Sequence, residues 1–148
     1  MRRIKQGERA YISYGEYMSL MQMSAKCPTA ARIGKGYLRG WRLMFQGEAG
    51  NGVENIVPCY NGIVPVAVWA VSLNDEMELD KRYNYPNVYT KLELTVVINK
   101  KALKGYTYVL NVPMPTARIS PEFKDIMREG YSDTGVDIRF WPDSFFEK

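Results

Sequence analysis

The chain has 148 residues, no histidine, and a formal charge of +4 from 20 basic and 16 acidic side chains. A length of this order suits one domain, 1–148, burying roughly 70% of its unfolded surface, and 46% hydrophobic content argues against disorder. Without imidazole there is no Ser-His-Asp triad and no histidine-bearing metal motif, so any acid or base must be a carboxylate, Tyr, Lys or Cys.

The basic residues fall in short clusters, Arg2-Arg3-Lys5 and Lys100-Lys101-Lys104. They read as a solvated face, so nucleic acid is not an expected partner. No run approaches about 18 consecutive apolar residues, so no membrane span is expected. The basic segment Met1–Gln6 is not followed by a long apolar stretch, and no secretory leader is read there. Cys27 and Cys59 have no close spacing; both are expected reduced, in a cytoplasmic protein. No metal-ligand cluster is visible.

Ala10–Tyr14 reads as a strand broken by Gly15, and Glu16–Met23 as a loop entering a short helix that Pro28 ends. Ala31–Phe45 reads as an extended segment bent at Gly34, Gly36 and Gly40. Gly47–Gly52 is a turn and Val53–Cys59 a strand. Asn61-Gly62 predicts a tight turn before a strand at Val64–Val71. Asn74 is the expected N-cap of a short helix ending near Arg82 or Tyr83. Tyr89–Ile98 is the longest clean strand, with Leu92, Leu94, Val96 and Ile98 on one face. Lys101–Gly105 reads as a turn and Tyr106–Leu110 as a strand. Ser120-Pro121-Glu122 opens a helix to about Glu129, with Gly130 and Gly135 as turns. Trp141, Phe145 and Phe146 predict a C-terminal segment packed on the body. The sum is an α+β fold: a small, mostly antiparallel β-barrel with short flanking helices.

Several pieces arrive in an order that resembles the gamma-glutamylcyclotransferase-like family, including its AIG2-like branch. They are Tyr14-Gly15 after the first strand, Lys26-Cys27-Pro28, Gly36–Phe45, Ile56-Val57-Pro58, Val66–Trp69, Leu79-Asp80, Tyr85-Pro86, Tyr89 and Tyr108-Val109. The resemblance spans about Tyr11 to Gly135. It implies a cavity for a γ-glutamyl small molecule and release of 5-oxoproline by intramolecular amine attack, with no cofactor. It also implies that Tyr14, Gly15, Glu16, Tyr17 and Met18 form the substrate loop, with Tyr89 and Tyr108 as further cavity residues.

Two departures coincide with the functional elements. Tyr83 stands where the family's catalytic glutamate is expected, with Asn84 in place of a glycine. Glu16 and Tyr17 stand where the loop usually carries Ser-Asn. A phenol ordinarily ionises near 10, and serving as a base near neutrality would require about 4 kcal/mol of differential stabilisation. The candidate catalytic residues are therefore Glu16, as a replacement carboxylate, and Tyr83; Glu54 and Asp80 are further acids to test. Three readings stay open: an altered cyclotransferase, a noncatalytic small-molecule-binding module, and a protein-interaction module. The subunit count is open as well, a homo-oligomer included.

Overall fold

The structure, a computed structural model, describes residues 2–140, so Trp141, Phe145 and Phe146 lie outside the described residues. Five strands form one sheet: β1 (Glu8–Ser13), β2 (Ala31–Glu48), β3 (Asn51–Ser72), β4 (Tyr89–Ile98) and β5 (Lys101–Leu110). Three helices accompany them: α1 (Leu20–Lys26), α2 (Leu73–Arg82) and α3 (Pro121–Thr134).

The strand order is β2-β3-β1-β5-β4. Strands β1 and β5 run parallel, and the other neighbours are antiparallel. This overturns the expected barrel. The sheet is open, with β2 and β4 as its two edges and no ladder between them among the described residues. The edges still approach each other, at Gly36 of β2 and Val96 of β4. A Cβ on Gly36 would lie 2.6 Å from Val96 Cγ2, so the glycine admits the opposing strand without hydrogen-bonded closure.

Turn signals account for the other differences. Asn61 takes a left-handed φ of 63°, yet β3 runs through it as one long strand. The hairpin β4–β5 turns at Asn99 and Lys100, with φ of 50° and 66°, so Lys101–Gly105 is strand rather than turn. Helix α2 is capped by Ser72, not Asn74: Ser72 Oγ accepts from Asp75 N, and Asp75 reaches back to Ser72 N. Helix α3 starts at Ser120 and Pro121 as expected, but passes Gly130 and stops at Gly135, whose φ is 76°.

Strand alternation divides the core in two. One face carries Ile12, Val66, Val68, Val96 and Ile98, closed by Met18 and Met127. The other collects Tyr11, Trp69, Tyr106 and Tyr108, with Tyr17, Tyr83 and Tyr89 packed over them. The high tyrosine content is thus concentrated on one side of the sheet.

Candidate active site

The loop after β1 is held by buried donors. Tyr14 Oη donates to Tyr108 O at 2.6 Å. Trp69 Nε1 donates to Tyr17 O at 2.9 Å, and Arg32 Nη2 donates to Met18 O at 2.6 Å. Glu16–Met18 then forms a 3₁₀ turn, and Ser19 caps α1 by accepting from Gln22 N. These bonds fix the backbone of Gly15 and Glu16 from three strands, as a rigid scaffold holds a functional loop.

Against that backbone lies Glu54, which is 0% exposed. Its Oε2 accepts from Glu16 N at 3.3 Å and from Tyr83 Oη at 3.1 Å. Among the described residues its Oε1 has no hydrogen-bond partner, and it lies 3.8 Å from Arg82 Nη2. Gly15 is needed for this approach, since a Cβ there would come within 2.6 Å of Glu54 Oε2. Tyr89 Oη donates to the Glu54 carbonyl at 2.6 Å, which fixes the strand from the far side. A fully buried carboxylate with an unfilled oxygen is costly unless something else uses it.

Tyr83 follows α2 and is buried, its phenol aimed at Glu54. Its ring stacks on Tyr108 at 4.5 Å and meets Tyr89 edge-on at 4.9 Å. Burial, then the neighbouring Glu54, raises its ionisation well above the ordinary tyrosine value. Tyr83 is therefore a neutral donor and not a base. Tyr11 and Tyr14 are held neutral in the same way, chiefly by burial.

Arg82 bridges two acids. Its Nη2 is 2.8 Å from Glu16 Oε1 as well as 3.8 Å from Glu54 Oε1. Burial opposes its charge, but the carboxylates of Glu54 and Glu16 more than offset this and raise its ionisation. Asp80 belongs to a second cluster: it accepts from Tyr108 Oη at 2.6 Å and pairs with Lys91 at 3.0 Å. Lys91 also reaches Glu76 at 2.6 Å. That cluster is saturated with partners.

A cavity of about 580 Å³ adjoins the site, with Arg82, Tyr83, Tyr89, Val53, Val88 and Met114 among its walls. This lies within the range of small-molecule sites. Glu54 is not part of its lining, whereas Tyr83 both lines it and contacts Glu54.

The structure thus gathers Gly15, Glu16, Tyr83 and Tyr89 around Glu54. Tyr14 and Tyr17 support the loop from the core, and Tyr108 lies behind Tyr83. Met18 turns to the opposite face, where its Cβ would lie 2.8 Å from a Cβ on Gly130. Glu54 is the acid at the centre of this cluster, which the sequence reading named only as a further acid to test. Its signal was an acid two residues before the buried Ile56, on an otherwise apolar strand face. Among the described residues no group of three or more His, Cys, Asp or Glu could hold a metal ion, and no helix is long and apolar enough to cross a membrane.

The same fold occurs in known proteins. A structure described as "Gamma-glutamyl cyclotransferase" superimposes with a TM-score of 0.83 at 20% identity, covering 90% of this chain and 83% of that one. A human protein described as uncharacterized, loc79017, gives a TM-score of 0.84 at 20% identity, covering 91% and 85%. An AIG2-like protein from Mus musculus gives 0.59 at 17% identity, covering 80% and 83%. At these identities the structures establish the fold alone. No curated protein sequence matches the chain. The family model described as "Gamma-glutamyl cyclotransferase, AIG2-like" matches residues 11–131, which runs from the first strand through the loop, Glu54 and Tyr83 into α3. The chain therefore belongs to the gamma-glutamyl cyclotransferase, AIG2-like family.

Proposed function

We propose that the protein releases 5-oxoproline from a γ-glutamyl amine or peptide, with Glu54 as the proton carrier in place of the acid absent at position 83. The observation that carries this reading is the Glu54 carboxylate: fully buried, seated on the Gly15–Glu16 turn, with one oxygen that has no hydrogen-bond partner among the described residues. Glu16 suits the role less well, because Arg82 holds its carboxylate at 2.8 Å and it is 18% exposed. Its part is to anchor Arg82 and, through its backbone N–H, to steady Glu54.

In the reaction the substrate's α-amine nitrogen attacks its own γ-carbonyl carbon and closes a five-membered lactam. The proton lost by the amine passes to Glu54. The carbon–nitrogen bond to the leaving amine then breaks, and Glu54 returns the proton to that nitrogen. One carboxylate serves as base and then as acid, so no cofactor enters the balance. The adjoining cavity gives the leaving amine its space. Tyr83 stands between that space and the carboxylate, lining the one and bonding to the other.

The test is detection of 5-oxoproline from a panel of γ-glutamyl amines and dipeptides incubated with folded protein. Product from any member supports the reading. Absence of product across the panel supports the noncatalytic binding module instead.

A further inference from the structure

Resting on the assignment of Glu54 above, we propose that Tyr83 is a positioning residue whose phenol holds the Glu54 carboxylate on the Gly15–Glu16 turn. Position 83 thereby sets the aim of the acid on β3.

The geometry is specific. Tyr83 Oη is 3.1 Å from Glu54 Oε2, and the same oxygen accepts from Glu16 N at 3.3 Å. These two donors fix one edge of the carboxylate and leave Oε1 unfilled. A neutral phenol can only donate to a carboxylate, so the bond favours the ionised acid. The ring has little freedom to leave. It stacks on Tyr108, whose hydroxyl is tied to Asp80 at 2.6 Å, while Asp80 is tied to Lys91. The Tyr83 hydroxyl lies 3.4 Å from Tyr11 Oη, its other neighbour in the buried layer.

The groups facing Glu54 from other elements do not duplicate this contact. Arg82 contributes a cation at 3.8 Å but divides it with Glu16. Tyr11, Tyr14 and Tyr17 are neutral phenols around it, and Tyr89 bonds to its backbone carbonyl and not to its carboxylate. Tyr83 is the side-chain hydrogen-bond donor to the carboxylate among the described residues.

The experiment uses full-length protein carrying carbon-13 in its glutamate carboxyl groups. Glu54→Gln identifies the Glu54 resonance by its disappearance. In Tyr83→Phe the pH midpoint of that resonance moves upward, with protonation about tenfold easier, because a charge-stabilising donor is gone. Incorporation of 3-fluorotyrosine at position 83 supplies a stronger donor of nearly the same shape and moves the midpoint downward. Where 5-oxoproline is formed, the acidic limb of the kcat/KM profile moves with it. A midpoint unmoved in either variant overturns the proposal. A midpoint that moves in protein forming no 5-oxoproline leaves the Tyr83 role standing and removes the cyclotransferase reading.

Discussion

Tyr83 Oη donates to Glu54 Oε2 at 3.1 Å, joining the end of α2 to β3 across 29 residues of sequence. The position at which the family resemblance leads one to expect an acid and the buried Glu54 are therefore hydrogen-bond neighbours.

Gly15 makes that site sterically feasible. A Cβ at position 15 would lie 2.6 Å from Glu54 Oε2 and 2.7 Å from its Cγ. Gly15→Ala is expected to lower stability by about 1–3 kcal/mol, the usual cost of overpacking, and to displace the carboxylate. Urea denaturation measures the first effect. Loss of 5-oxoproline formation beyond the unfolded fraction measures the second.

The buried phenols predict the response to alkali. Burial raises Tyr11, Tyr14 and Tyr83 well above the ordinary value of 10.0. Below about pH 10 these phenols are neutral in both folded and unfolded chains, so they give stability no pH dependence. Above it the unfolded chain releases protons that the folded chain retains, and stability falls as pH rises. Tyrosinate absorbance from the buried set should appear together with the loss of circular dichroism. Its appearance well before unfolding would contradict the burial described.

The two cysteines should differ in reactivity. Cys27 is 1% exposed, and burial, then Asp75, pushes its thiol up to about 12. Cys59 is free and half-buried near the β2–β3 hairpin. Iodoacetamide applied to folded protein at neutral pH should modify Cys59 and leave Cys27 intact until the chain unfolds. Mass spectrometry of peptides reads the outcome.

Much of the fold was legible because its signals are local. Alternation marked β4, and Ser120-Pro121 marked the start of α3 but not its end, which lies beyond Gly130 at Gly135. Sheet closure was not, because it depends on whether the edges of β2 and β4 exchange backbone bonds. Here Gly36 brings the two edges close with no ladder between them among the described residues. At the site, the sequence context singled out the Gly15–Glu16 loop and Tyr83, which the structure brings to one carboxylate. It did not reveal the partner of Tyr83. Glu54 gains its place from the β2–β3 register, which sets it opposite Phe45, and from a helix end 29 residues away. Nor did the sequence reveal that Arg82 turns back to bind Glu16.

The most direct measurement is 5-oxoproline formation by wild type, Glu54→Gln and Glu16→Gln, each verified as folded and assayed on the same γ-glutamyl amide. Positioned acid–base catalysis contributes about 10²–10⁴-fold, so Glu54→Gln should lose activity by about that factor. Glu16→Gln, which loosens Arg82 but keeps the backbone N–H on Glu54, should lose about tenfold or less. Full activity in Glu54→Gln with loss in Glu16→Gln would contradict the account and return the proton carrier to the loop.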